Sequence, residues 1–108
     1  MENLRIGFLL HFYQPWWQFP EVLSRIANEC YWPIVRLIEK TPGFCFSANI
    51  NYSLLELLDR DFSPIIRGLK KAIDEKKIEV LGSTAYHPIM PLIPKNMQMV
   101  QMIVDTQL

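Results

Sequence analysis

The sequence lacks an excess of charge of either sign. Eleven lysines and arginines balance eleven aspartates and glutamates, so the formal net charge at pH 7 is zero. Nucleic-acid binding draws much of its affinity from basic side chains on phosphates, so this balance argues against a nucleic-acid partner. The lysines between Lys70 and Lys77 are mixed with acidic residues, which is typical of a solvated helix end.

Long hydrophobic runs, an export signal and abundant cysteine are also missing. No apolar stretch approaches the ~20 residues that span a bilayer, so we expect no membrane partner. No small-residue cleavage site follows the short apolar run near the N-terminus. Cys30 and Cys45 are too few for a disulfide framework, and their apolar neighbours predict small buried side chains. Reduced thiols without an export signal favour a cytoplasmic protein.

Apolar residues make up half of the 108 residues, and their spacing alternates between strand-like and helix-like. Short apolar runs predict three strands, at Arg5–Phe12, Phe44–Ile50 and Ile78–Ser83. Apolar residues at spacings of three and four predict helices between and after them. Such an order of elements predicts an α/β fold of one domain, with parallel strands joined by right-handed crossovers.

Local signals refine the helices. Pro33 is expected to interrupt the helix that starts at Pro20, since proline lacks an N–H. Ser53 and Glu56 have the spacing of a capping box. The last predicted helix, Asn96–Leu108, has an apolar stripe expected to be buried: Met97, Val100, Ile103 and Val104.

The end of the first strand carries the densest group of candidate binding residues. His11, Tyr13, Gln14, Trp16 and Trp17 supply an imidazole, a hydroxyl, an amide and two indoles within a few positions. Sugars bind to such mixtures, because flat rings cover C–H faces while amides and imidazoles bond hydroxyls. A structural role remains open for His11. Trp16 and Trp17 could equally cover the rim of a barrel.

The third strand ends in a similar way. His87 follows it and precedes Pro88, so parallel strands would place His87 and His11 at the same edge of the sheet. Glu79 lies inside the strand, where it would face a polar interior or pair with a cation. Asn49 and Asn51 end the second strand; one of them is expected to face the same cleft, and a turn-forming role for Asn51 is equally compatible.

Catalytic signatures are absent. No pair of carboxylates suits retaining glycoside hydrolysis, and no Gly-x-Ser-x-Gly, P-loop, Gly-x-Gly-x-x-Gly or His-Glu-x-x-His motif occurs. We therefore assign no catalytic residue within these 108 residues.

The residues His11-Phe12-Tyr13-Gln14-Pro15 resemble the first motif of family-57 glycoside hydrolases, commonly His-x-His-Gln-Pro. Tyr13 stands in place of the second histidine. The family's second motif, Gly-Gln-x-Glu, corresponds to Lys76-Lys77-Ile78-Glu79, in which only the glutamate is shared. Further likeness to divergent members lies in Ser53–Leu58 and Tyr86–Leu92.

This resemblance implies a fold and a function. The fold would be the first three β/α units of an incomplete seven-stranded parallel β/α barrel, with 1–108 as an N-terminal fragment of the catalytic domain. The function would be retaining α-glucan hydrolysis or transglycosylation without metal or cofactor, with the nucleophilic glutamate and acid aspartate on strands after Leu108. The substrate-binding residues would be His11, Tyr13, Gln14, Trp16, Asn51, Glu79 and His87.

Two other functions remain open. A metal-dependent polysaccharide deacetylase has a similar barrel, but its site needs two histidines and a carboxylate on a divalent ion. A truncated product could instead bind sugar or a partner without catalysis. Since the sequence stops inside a helical pattern, and apolar strand edges invite pairing, we also expect self-association if the chain ends at Leu108.

Overall fold

The computed structural model describes residues 3–105, and their side chains as far as 102. Its centre is a sheet of three parallel strands in the order β1-β2-β3. The strands are β1, Leu9–Phe12, β2, Phe46–Ile50, and β3, Ile78–Leu81. Both strand pairs are parallel, which confirms the predicted α/β fold.

Five α-helices accompany these strands in the described residues. They are α1, Pro20–Ile26, α2, Trp32–Lys40, α3, Tyr52–Asp61, α4, Ser63–Asp74, and α5, Lys95–Asp105. A π-helical turn at Ala27–Tyr31 joins α1 to α2, and a 3-10 turn at Met90–Leu92 precedes α5. No described helix has both the length and the apolar character to cross a membrane.

The helix around Pro33 continues where the sequence predicted an interruption. Trp32 donates its N–H to the carbonyl of Ala27, five residues back, so the chain makes a wider π-turn just before the proline. Such a turn relieves the clash that a proline ring has with the preceding helical turn. The backbone therefore passes from α1 to α2 without leaving the helical region.

The start of α3 differs from the predicted capping box. Its N-cap is Asn51, and no side chain caps the helix. The Ser53 hydroxyl instead donates to the Gln14 carbonyl at 2.9 Å, and Glu56 accepts from the Tyr86 hydroxyl at 3.0 Å. Partners distant in sequence have replaced the local pairing that the spacing predicted.

The core lies on one face of the sheet only. Side chains from α1 to α4 form a single buried cluster with the strand residues that point toward them. Those strand residues are Phe12, Phe46, Ala48, Ile50 and Ile78. Because side chains alternate along a strand, the intervening residues point to the other face, which no described helix covers. This open face carries Leu9, His11, Ser47, Asn49, Glu79 and Leu81.

One prediction about the extent of a strand and two about burial are wrong. The segment 5–8 precedes β1 rather than forming part of it, and Ile6 is 72% exposed. Cys30 and Cys45 are both exposed. Cys30 lies in the π-helical turn, whose buried residues are Ala27 and Tyr31, and Cys45 precedes β2. In α5, Met97 and Val100 are about half exposed, at 45% and 46%. Ile103 and Val104 lie outside the residues whose side chains are described.

Candidate functional site

His11 lies near the carboxyl end of β1 on the open face. The parallel register places it opposite Asn49 of β2, and its Nδ1 lies 3.0 Å from Asn49 Oδ1. The amide thus ties the imidazole to the central strand, which is itself paired on both sides. His11 remains exposed, so its ring is accessible while its position is fixed.

Two more rings surround His11. The His87 ring centroid lies 5.1 Å from that of His11 and 5.0 Å from that of Tyr13. Tyr13 in turn stacks on His11 with centroids 6.3 Å apart and planes inclined by 19°. We call His11, Tyr13 and His87 the ring cluster. The expected meeting of the two histidines at one edge of the sheet is therefore present.

The segment that carries His87 is anchored by buried contacts to the start of α3. Asn51 is fully buried, and its amide nitrogen donates to the carbonyls of Thr84 and Ala85. The Ser53 N–H also donates to the Ala85 carbonyl, at 3.0 Å. The Asn51 Oδ1 is buried without a described partner. This amide therefore fastens the β3–α5 connection to the end of β2.

A second anchor lies next to His87. The Tyr86 hydroxyl donates to Glu56 on α3, and the Tyr86 N–H donates to the Gln101 side chain at 2.8 Å. Partial burial, followed by the nearby Glu56 carboxylate, raises the pKa of Tyr86. His87 itself has φ of 58°, in the left-handed region that non-glycine residues rarely adopt. Strain of this kind concentrates at functional positions, where surrounding contacts hold it in place.

Gln14 points away from the ring cluster. Its Nε2 lies 3.4 Å from the Tyr31 hydroxyl, and its Oε1 accepts from Gln18 Nε2 at 2.6 Å. Burial raises the pKa of Tyr31, and the bond from Gln14 opposes this rise. Together with the bond from Ser53 to its carbonyl, these contacts make Gln14 a residue that shapes the loop after β1.

Glu79 and the tryptophans lie around the cluster rather than in it. Glu79 is opposite Ser47 on the open face and accepts its hydroxyl at 3.2 Å. It is thus two strand positions, about 7 Å, below the row that holds His11. Trp16 is 66% and Trp17 59% exposed on the loop that follows β1.

Of the two asparagines near the end of β2, Asn49 contacts the ring cluster and Asn51 has no described bond to it. Sequence reasoning selected Asn51, whose burial and backbone contacts occupy it elsewhere. Alternation alone does not separate them, because Asn49 and Asn51 are two positions apart. The difference is that β2 ends at Ile50, so Asn49 belongs to the strand and Asn51 begins the turn into α3. Pairing β1 with β2 from their carboxyl ends would have placed Asn49 beside His11.

A metal site or a second hollow would be an alternative to the ring cluster as the candidate site. Among the described side chains, those of residues 3–102, no three His, Cys, Asp or Glu lie together in a way that could hold a metal ion. A groove of about 520 Å³ lies on the helix side, between α3, α4 and the edge of β3. Its walls are mostly aliphatic and include Leu55, Leu69, Ile73 and Val80. This lining suits the packing of another helix more than the binding of a polar ligand.

Comparison with known proteins identifies the family. Residues 9–107 match the model of glycosyl hydrolase family 57. The chain belongs to this family. The resemblance inferred from the sequence motifs is thereby confirmed.

Named relatives are about a quarter identical to this chain over the aligned residues. A 4-alpha-glucanotransferase of Thermococcus litoralis is 26% identical over 101 residues, covering 94% of this chain and 15% of that protein. An alpha-amylase of Pyrococcus furiosus is 25% identical over 94 residues, covering 87% of this chain and 14% of that protein. The chain thus spans about 15% of the length of the curated relatives it matches.

A solved family-57 structure shows the same fold. The crystal structure of the Thermococcus litoralis 4-alpha-glucanotransferase matches 93% of this chain and 16% of its own, with a TM-score of 0.86 and 24% identity. In the present chain, Tyr13 stands where the first family motif commonly has a second histidine. That tyrosine contacts both histidines of the ring cluster.

Proposed function

We propose that this family-57 chain forms part of the substrate-binding wall of an α-glucan-processing glycoside hydrolase or transglycosidase. The observation that carries the proposal is the ring cluster, which joins His11, Tyr13 and His87 on the open face at the carboxyl ends of parallel strands. Carboxyl ends of such strands are the usual location of sites in β/α folds.

The proposed architecture is the first three β/α units of an incomplete seven-stranded barrel, with 1–108 as the N-terminal part of its catalytic domain. Two features support it. The sheet is covered on one face only, and both outer strands have a free edge within the described residues. The relatives are also several times longer than this chain. In a barrel, the open face would become the lining of the interior.

The chemistry of the cluster suits a sugar. Aromatic and imidazole rings offer flat surfaces to C–H groups, while the imidazole nitrogens and the Tyr13 hydroxyl offer hydrogen bonds. Glu79 would extend the polar surface along the interior, and Trp16 would contact sugar at the rim. Gln14 and Asn51 would act by holding the two loops in place. An α-glucan is chosen because the relatives are named 4-alpha-glucanotransferase and alpha-amylase.

Bond cleavage would require groups outside these 108 residues. A retaining mechanism uses a carboxylate nucleophile and a carboxylic acid about 5–5.5 Å apart, on either side of the scissile bond. We propose that later barrel strands supply both. The 108-residue chain should then bind glucan without hydrolysing it.

Titration of the ¹³C,¹⁵N-labelled 108-residue chain with maltoheptaose tests the proposal. We expect ring resonances of His11, Tyr13 and His87 to shift with maltoheptaose and not with cellohexaose. His87→Ala should weaken binding about fivefold, since one ring contact contributes about 1 kcal/mol. Ile89→Ala is the matched control, because Ile89 lies in the same loop and is 68% exposed. No binding by the wild-type chain, or turnover of soluble starch above background, would contradict the proposal.

One observation favours a second candidate, a metal-dependent polysaccharide deacetylase. Its site needs two histidines with a carboxylate, and His11 and His87 do lie side by side. The absence of a third ligand among the described side chains makes it the weaker candidate. Stoichiometric zinc in the purified chain would favour it over the glucan-binding proposal.

Self-association of the chain is also part of the proposal. Free strand edges pair readily with other strands, and the open face exposes Leu9 at 64%. Sedimentation velocity should detect dimers or larger species at micromolar concentration. A strictly monomeric chain would contradict this part.

A further inference from the structure

We propose that Asn49 is a positioning residue that fixes the tautomer of the exposed His11 side chain, so that its Nε2 accepts a hydrogen bond from a ligand hydroxyl. The identity of the ligand rests on the proposed function, whereas the tautomer does not. The proposal adds to the ring cluster a residue whose role is to set the direction of one hydrogen bond.

The geometry of the pair carries the first step. Asn49 Oδ1 lies 3.0 Å from His11 Nδ1, within hydrogen-bond distance. An amide oxygen only accepts hydrogen bonds, so the proton must lie on Nδ1. A neutral imidazole has one N–H, which leaves a lone pair on Nε2. The nitrogen not bonded to Asn49 is therefore an acceptor.

Contacts around His11 hold its ring in this orientation. Asn49 belongs to β2, the central strand, and the two residues face each other directly in the β1–β2 register. Tyr13 stacks on the His11 ring from one side, and His87 lies 5.1 Å from it. Rotation of the ring would break the bond to Asn49 and disturb both ring contacts. A second residue that sets the tautomer of a functional histidine is a common arrangement.

This tautomer would determine which ligand groups can form a hydrogen bond with His11. A ligand hydroxyl that meets His11 would donate its proton to Nε2 while its oxygen stays free for other donors. A group that can only accept, such as fluorine in place of that hydroxyl, would find no donor at this nitrogen. The site would then distinguish sugars by the presence of a hydroxyl rather than by shape alone.

Long-range ¹H–¹⁵N correlation spectra of the imidazoles, which report the tautomer directly, are the test. The chain has only two histidines, so His87→Gln assigns both sets of signals. Spectra are recorded near pH 8.5, about two units above the model-peptide pKa of histidine. We expect the Nδ1–H tautomer at His11 in the wild-type chain.

Substitutions at position 49 separate positioning from simple structural support. Asn49→Leu removes the acceptor at similar volume and should move His11 toward the Nε2–H tautomer, whereas Asn49→Asp keeps an acceptor and should retain Nδ1–H. Ser47→Ala, on the same strand and face, is the matched control and should leave the tautomer unchanged. Asn49→Ala repeats the test if the leucine variant does not fold.

Maltoheptaose titration of the same variants completes the experiment. Asn49→Leu should weaken binding about tenfold, and Asn49→Asp should weaken it less. The Nε2–H tautomer in the wild-type chain, an unchanged tautomer in Asn49→Leu, or undiminished affinity despite a changed tautomer would each overturn the inference. If the tautomer responds as expected while the wild-type chain binds no maltoheptaose, the role of Asn49 stands and the proposed function fails.

Discussion

The two faces of the sheet are made by the same three short strands and have opposite character. On the covered face, Ala48 and Ile50 are buried against helices at 0% and 3% exposure. On the open face, their neighbour Asn49 bonds to His11 beside two other rings. One face is held by packing and the other by directed hydrogen bonds and ring contacts. The strand β2 therefore contributes residues both to the core and to the candidate site.

The largest expected effect compares one aliphatic residue from each face. Ile50→Ala should lower the free energy of unfolding by about 2–5 kcal/mol, because a buried side chain is lost and a cavity remains. Leu9→Ala on the open face should change it by less than about 0.5 kcal/mol, since Leu9 is already 64% exposed. Urea unfolding of both variants measures the difference. Equal losses would mean that the open face is packed in solution.

A close approach between α4 and α2 on the covered side gives the next prediction. A Cβ added at Gly68 of α4 would lie 2.5 Å from Val35 Cγ1 of α2, so the two helices would have to separate. Gly68→Ala should destabilise by about 1–2 kcal/mol, as overpacking outweighs the gain in helix propensity. In a Val35→Ala background the same change should be neutral or stabilising. Unfolding curves of the four chains form the double-mutant cycle, and an unchanged sign of the Gly68 effect would contradict this account.

The bond from Tyr86 to Glu56 anchors the loop that carries His87. Its loss should have a smaller effect on stability and a clear effect on the ring cluster. Tyr86→Phe removes the bond to Glu56 and should reduce the free energy of unfolding by about 0.5–1 kcal/mol. The ring resonances of His11 and Tyr13 should shift as His87 moves. Tyr52→Phe is the matched control, because the Tyr52 ring packs against Tyr86 at 5.9 Å and no described bond to its hydroxyl is lost. Identical spectra in the two variants would show that Tyr86 does not position the loop.

The smallest expected effect is a dependence of stability on alkaline pH. Burial raises the pKa of Tyr31 on the covered side, and burial together with Glu56 raises that of Tyr86. Above the ordinary tyrosine pKa of about 10, the native state therefore holds more protons than the unfolded state. Stability should fall as pH rises from there through the native pKa values. Tyr31→Phe should reduce this fall in urea titrations, and an unchanged fall would contradict the assignment.

Sequence reasoning reached the fold because alternation of strand and helix patterns depends on local residues. It also placed His11 and His87 at one edge, since parallel strands bring their carboxyl ends together. It extended β1 back to Arg5 because an apolar run does not reveal where pairing stops. In the structure, the pairing of β1 with β2 begins where the backbone N–H of Ser47 donates to the Phe8 carbonyl.

The details of the site depend on contacts distant in sequence, and those were missed. Ser53 bonds to Gln14, and Gln14 bonds to Tyr31, over separations of 39 and 17 residues. No short-range spacing in the sequence predicts such pairs. Asn51 looked like a cleft residue because it follows a strand, yet its burial directs it to the Thr84 and Ala85 carbonyls. Only the register of β1 and β2 identifies Asn49 as the partner of His11.

The most direct test of the central claim is to locate a bound maltooligosaccharide by intermolecular nuclear Overhauser effects. If the open face is the binding face, sugar ring protons should give contacts to the rings of His11, Tyr13 and His87. The helix-side groove near Ile73 and Val80 should give none. Contacts confined to that groove, with an unperturbed ring cluster, would contradict the account.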